Sequence, residues 1–311
     1  MGVCFATSGA VLALYSKHLP LPLFQCVIGA VAVFVTVGGM HTLNDFFDRV
    51  RDRNIWPYRP IPSGRLSPSH ALILAISLFF MGLSLVVVYF NIVCFTIFFV
   101  SIILGAIYSK YLRDKVGYLS LPPIVGLIPL GGYAAFAPYD LFSSYTPWAL
   151  YLMATLWQAG HILIYSPAHG LRHDAKTMVP AFIVSLGTRA NAALIVLFFS
   201  ALLALSLHFY LIAPLSILYL IIAVILGLTT LLVSLKTMIN PTFKKSVIAF
   251  NVATLYAVII FSTIALDIFL RFLACDFVTY ILWLISCIGI IVVVSSFIYE
   301  TWKFYVGIRD E

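Results

Sequence analysis

Long apolar runs broken by short polar stretches recur from one end of the chain to the other. Runs that can cross lipid fall near 2–16, 22–43, 71–90, 92–109, 120–137, 147–166, 190–211, 213–235, 246–270 and 278–299. A helix needs about 20 apolar residues to span the hydrocarbon core, and most of these runs reach that length. Alternating apolar and polar positions of the strand kind are absent, which argues against a barrel. The pattern therefore predicts an all-α, polytopic transmembrane helical bundle of about nine or ten spans, built as a single membrane-embedded domain over residues 1–311. The first run is short for a full crossing. It has neither a basic leader nor a small-residue cleavage site, so it reads as a short re-entrant helix or as the result of a chain start placed too late.

Composition agrees with the pattern. Hydrophobic residues make up 63% of the 311 and charged residues 9%, against about 25% charged in a soluble domain. The basic residues add an orientation. Of 18 lysines and arginines, all but Lys17 and Arg271 follow even-numbered runs: Arg49 to Arg65, Lys110 to Lys115, Arg172 to Arg189, Lys236 to Lys245, and Lys303 with Arg309. Such a bias predicts ten passes with both termini and these loops on the cytoplasmic face. The net charge of +7 is explained by this topology and by anionic headgroups, and calls for no nucleic acid. The five cysteines are scattered without a CxxC pair, as expected of small apolar packing residues.

Candidate chemistry is concentrated after the second run. Asn44, Asp45, Asp48 and Asp52 precede the loop Pro57-Tyr58-Arg59-Pro60-Ile61-Pro62-Ser63-Gly64-Arg65, and the three aspartates belong to only 11 acidic residues in the chain. On a helix these four side chains fall within an arc of roughly 100°. Carboxylates at a membrane-helix end need a cation, and oxygen ligands suit Mg²⁺ while leaving positions for phosphate oxygens. The arginines nearby offer forked donors to a diphosphate. The three prolines predict an extended, rigid loop, with a turn at Ser63-Gly64. A plain interfacial anchor would explain the arginines but not three acids on one face. His41, three residues before Asn44, either faces the same site or packs at the helix end.

The string from Asn44 through Asp52 to Gly64 closely resembles the first signature of the UbiA superfamily of intramembrane prenyltransferases, with Ile55 and Trp56 where that pattern usually has Asn and Arg. The resemblance implies a bundle of nine helices, so the last run is a departure. It further implies that Tyr108 and Arg113, after the fourth run, match a tyrosine-then-basic segment that contacts diphosphate. A second aspartate-rich motif is implied near Ser166–Lys176, where only Asp174 is present and Gly170 stands four residues before it. Asp174 is then the carried-over ligand, His169 or His173 the candidate substitute for its missing partner, and Lys176 a further phosphate contact. Pro167 is expected to interrupt the stripe His161, Tyr165, His169 and His173. Within the membrane, Asp267 and Arg271 are spaced to neutralise each other.

Taken together, the resemblance implies that Mg²⁺ held by Asp45, Asp48, Asp52 and Asp174 grips an isoprenyl diphosphate. Asn44, Arg59, Tyr108, Arg113, His169, His173 and Lys176 assist, and a membrane-soluble acceptor takes the prenyl group. Acceptors of the family include aromatic acids, quinone precursors, chlorophyll-type alcohols, haem and prenylglyceryl phosphates. The Pro-Tyr-Arg-Pro-Ile-Pro-Ser-Gly string leans away from haem, whereas Trp157-Gln158…His161 faintly resembles the haem farnesyltransferases. Two other classes fit less well. The motif of CDP-alcohol phosphatidyltransferases is missing, and no inverted repeat of the transporter kind is visible. A member that binds prenyl diphosphate with weakened turnover stays open because the second motif is depleted.

Overall fold

The computed structural model describes residues 1–55, 57–113, 117–170, 181–239 and 243–272, and among these the regular structure is entirely helical. Among the described residues nine α-helices follow one another: α1 (Gly2–Ser16), α2 (Leu23–Ile55), α3 (Pro68–Tyr89), α4 (Ile92–Ile107), α5 (Pro122–Ala134), α6 (Thr146–Gly170), α7 (Ala181–Ile212), α8 (Ile217–Ile239) and α9 (Phe243–Phe272). They match the first nine apolar runs in order; the tenth, 278–299, lies outside the described residues. Six of the described helices are long and apolar enough to cross a membrane, so this is an integral membrane protein. Met1–Ile268 forms one compact unit; of a second, Phe269–Glu311, only the last turn of α9 is described.

The bundle faces lipid with large side chains and packs inward with small ones. On α2 and α3, Phe34 and Phe80 project outward while Ala32, Ala71 and Ala75 are buried. Lipid supplies no hydrophobic force between helices, so close backbone approach has to hold them together. Gly39 gives that approach between α2 and α3, where an added Cβ would lie 2.9 Å from the Phe79 ring. Between α1 and α5 the fit is tighter still. A Cβ on Gly132 would collide with the Ala6 carbonyl, and one on Gly9 with that of Pro129.

Helix α1 is thus not a lipid-facing strap. Its 15 residues reach only about 22 Å, yet Phe5, Val11, Leu12 and Leu14 are buried, and Phe5 packs on Trp157 of α6 with ring centroids 5.5 Å apart. Several polar groups inside the bundle find partners across helices. Trp157 Nε1 donates to the Ala253 carbonyl at 2.6 Å, Tyr219 donates to the Ser206 carbonyl at 3.1 Å, and buried Asp267 accepts the Ser216 N–H at 2.5 Å.

The two ends of the bundle differ. At one end Asn91 caps α4 by accepting the Cys94 N–H at 2.9 Å. Its Nδ2 donates to the carbonyls of Ala134 and Ala135 at 2.8 and 2.9 Å, and Lys17, at the end of α1, pairs with Asp140, a few residues past α5, at 2.6 Å. The opposite end gathers the last turns of α2, the start of α5, and the π-helical turn Tyr108–Leu112 that finishes α4. Helix α6 returns antiparallel to α5, with Tyr151 and Thr155 against Gly126, so its C-terminal end points toward this second, charged end.

Candidate active site

Helix α2 is the frame of the site. Its 33 residues give about 50 Å of helix, more than lipid requires, and the surplus carries the acidic motif clear of the apolar run. The expected arc of side chains is therefore built on one rigid element. The loop that follows is a set of turns instead of the extended segment its prolines suggested. Ser63 N–H donates to Arg59 O at 2.9 Å, Gly64 N–H to Ile61 O at 3.1 Å and Leu66 N–H to Pro60 O at 2.9 Å. Proline presets φ for turns as readily as for extended chain, and Gly64 takes the left-handed φ of 77° that closes this one. Buried Ile61 pins the loop, which brings Arg59 back over the helix.

Three arginines then meet three aspartates. Arg59 Nη1 lies between two carboxylates, 2.8 Å from Asp45 Oδ1 and 2.9 Å from Asp52 Oδ2. Arg113, from the π-helical end of α4, grips Asp48 with both terminal nitrogens, Nη1 to Oδ2 at 2.6 Å and Nη2 to Oδ1, and reaches Asn44 Oδ1 at 3.1 Å. Asn44 Nδ2 donates to Asp48 Oδ2 at 2.9 Å, and Arg51 Nη2 stands 2.7 Å from Asp48 Oδ1. Asp48, Asp52 and Arg113 are buried, while the Asp45 side chain keeps 35% of its surface exposed. A forked guanidinium on a carboxylate is a strong, directional contact. Charges this enclosed persist only because each has a partner.

Beside the cage lies a cavity of about 570 Å³, lined by Asn44, His41, Tyr108, Ser109, Gln158 and His161 at that end and by mostly apolar side chains beyond. Tyr108 is buried in the π turn, the kind of helix irregularity that recurs at functional sites. His161 is 7% exposed, and its Nδ1 has no hydrogen-bond partner. Its ring is stacked on Trp157 at 4.8 Å between centroids and tilted against Phe250 at 4.0 Å.

The structure thus brings together Asn44, Asp45, Asp48, Asp52, Arg59 and Arg113, and puts Tyr108 on the adjoining cavity wall. Asp174, His173 and Lys176 lie outside the described residues. His169 belongs to the last turn of α6, and its side chain is likewise outside what is described. That helix runs on through Pro167 to Gly170, so the proline does not interrupt it; membrane helices accommodate proline where neighbouring groups satisfy the freed carbonyl. Arg51 emerges as a member of the cage that the loop's arginine count did not single out, and its position three residues after Asp48 was the available signal. Arg49 stays out of the cage, its guanidinium over the Phe46 ring at 4.4 Å.

Does this donor set suit Mg²⁺? Among the described residues, no three His, Cys, Asp or Glu side chains converge closely enough to hold a metal ion. Two carboxylates do converge on one cationic point, Arg59 Nη1. Asp48 Oδ1, although touched by two guanidiniums, receives no aligned hydrogen bond. The ligands are all oxygen, as Mg²⁺ prefers. They fit a hard cation at the place that Arg59 occupies.

Fold and site together define an integral membrane helical bundle with a cage of paired carboxylates and guanidiniums beside a largely apolar cavity. The chain belongs to the UbiA prenyltransferase family, whose sequence model matches residues 3–258. It is 34% identical over 178 residues to a digeranylgeranylglyceryl phosphate synthase of Methanothrix thermoacetophila, a match that spans 57% of this chain and 62% of that protein. It is 27% identical over 273 residues to a protoheme IX farnesyltransferase of Neorickettsia sennetsu, spanning 84% of this chain and 86% of the relative. In three dimensions it resembles a UbiA homologue from Aeropyrum pernix K1, with a TM-score of 0.68 at 20% identity over 87% of this chain and 96% of the other. It also resembles a UbiA homologue from Archaeoglobus fulgidus bound to GPP and Mg²⁺, with a TM-score of 0.56 at 15% identity over 85% and 95%.

Proposed function

We propose that this protein transfers an isoprenyl group from a prenyl diphosphate to a lipophilic acceptor, a quinone or aromatic precursor or a prenylglyceryl lipid, within the membrane. The observation that carries the reading is the cage of Asp45, Asp48 and Asp52 with Arg51, Arg59 and Arg113, standing where the apolar cavity reaches Asn44 and Tyr108. A diphosphate needs cations and a prenyl tail needs a dry channel, and the two are adjacent here.

Asp45 and Asp52 are the carboxylates that would hold Mg²⁺, with Asp48 and, from the segment after α6, Asp174 completing the set. The bound ion supplies charge neutralisation for a departing diphosphate. The chain's own cations do related work. Arg59 turns from the carboxylates to phosphate oxygens, and Arg113, Lys176, Asn44, His169 and His173 contribute further donors. The allylic carbon–oxygen bond breaks as negative charge passes to the diphosphate. Tyr108 presents its ring to the cationic carbon, and the apolar walls keep water away until the acceptor attacks. Support for Asp174, His169, His173 and Lys176 comes from the direction of α6, which ends at the charged end of the bundle. The excess of arginine and lysine in these loops supports a cytoplasmic site, with ten passes and both termini on that side.

The test is Asp45→Asn, a change of one atom on the more exposed carboxylate of the cage. With labelled prenyl diphosphate and Mg²⁺, the variant should lose transfer by at least about a hundredfold, since a metal-and-charge contribution of about 3 kcal/mol is removed. Full transfer by a folded Asp45→Asn protein would overturn the reading.

A further inference from the structure

The cavity is long in one direction. Its α2 wall begins at Asn44 beside the cage and continues along the helix through Val37, Val33 and Gly29. Fifteen residues of helix separate Asn44 from Gly29, or about 22 Å. Near Gly29 the cavity wall carries an aromatic pair, Phe90 and Phe136. A Cβ on Gly29 would lie 3.2 Å from Phe90 Cζ, so the Phe90 ring is seated over the bare backbone of α2. On its other side Phe90 packs edge-to-face on Phe136, just beyond α5, with centroids 5.9 Å apart. The pair links α2 to the end of α5, and both rings line the cavity. It is held there by Asn91, next in sequence to Phe90, whose amide clamps the carbonyls of Ala134 and Ala135. One turn past Gly29, Gln25 and Cys26 still line the cavity.

We propose that the Phe90–Phe136 pair is a chain-length stop, and that it sets the preferred donor at four isoprene units, a twenty-carbon prenyl diphosphate. The inference rests on the prenyltransferase reading and adds a substrate length to it. Four carbon–carbon bonds of about 1.5 Å, projected along an extended chain, give about 5 Å per isoprene unit. Four units thus fill the 22 Å (about) between Asn44 and the barrier, and a fifth runs into the Phe90 ring. Removing that ring opens about 6 Å more of helix wall, from Gly29 to Gln25, enough for the fifth unit. Conversely, a bulky side chain at Val33, about 16 Å from Asn44, leaves room for three.

The experiment is competition binding to the full-length protein in nanodiscs with Mg²⁺. Labelled geranylgeranyl diphosphate is displaced by unlabelled diphosphates of ten, fifteen, twenty and twenty-five carbons, so no acceptor has to be known. Wild-type protein should favour the twenty-carbon competitor over the twenty-five-carbon one by at least about tenfold, because the fifth unit cannot be buried. Phe90→Ala should bring the two within about twofold, and Val33→Phe should move the optimum to fifteen carbons. Phe136→Leu, a gentler change in the same barrier, serves if Phe90→Ala does not fold. A length profile identical in wild type, Phe90→Ala and Phe136→Leu would overturn the stop while leaving the prenyltransferase reading standing. No displacement by any prenyl diphosphate would overturn both.

Discussion

Arg113 shows how much the cage depends on single side chains. It is buried, holds Asp48 through a forked contact, and also touches Asn44. Removing it by Arg113→Ala leaves Asp48 as a buried carboxylate with only Arg51 and Asn44 against it. A loss of about 3–5 kcal/mol in folding stability is the expected result, read as a fall in the unfolding midpoint in detergent. Arg113→Lys should recover part of this, since an ammonium keeps the charge but not the fork. The acids themselves were legible in the sequence, because their spacing on a helix and their cost in lipid leave few explanations. Which arginine serves which acid was not legible. Arg59 and Arg113 are 14 and 65 residues from their partners Asp45 and Asp48, and only the turns of the loop and the end of α4 determine those pairings. His161 belongs to the same lesson: its place in a polar stripe was visible, but its unpartnered nitrogen on the cavity wall was not.

Between neighbouring elements, Asn91 has the widest reach for its size. One side chain caps α4, ties the α3–α4 connection to the end of α5, and steadies the Phe90–Phe136 pair. Asn91→Ala removes the cap and two hydrogen bonds, and should cost about 2–3 kcal/mol, measured as a drop in thermal stability. The apolar runs foretold the helices well because lipid permits little other than a helix. They could not foretell how helices continue or stop. Helix α2 runs on past its apolar stretch, and α6 passes through Pro167, since intrahelical hydrogen bonding and packing outlast the hydrophobic pattern. The role of α1 was equally hidden. Glycines at positions 9 and 132 lie 123 residues apart in number, and nothing local announces that they let α1 and α5 touch backbone to backbone.

At the scale of the whole molecule, the charged end and the capped end make a directional vessel, and its orientation in the membrane can be measured. Ser63 and Ser143 are both exposed, Ser63 in the loop after α2 and Ser143 before α6. With the five native cysteines replaced by serine, a cysteine at Ser63 should react with an impermeant maleimide only from the cytoplasmic side, and one at Ser143 only from the other. Reversed labelling would refute the cytoplasmic placement of the cage. The amino-acid sequence alone determined that this chain lives in lipid, that its elements are helices, and that three acids gather on one face at the end of the second helix. Those conclusions follow from local costs: apolar length, unsatisfied backbone in hydrocarbon, and carboxylates without water. Tertiary structure decided what no local cost encodes. It alone put Arg59 between two aspartates, buried α1 as a wall, and placed the Phe90–Phe136 pair on the cavity wall, because each depends on residues far apart in the chain meeting in one packed arrangement.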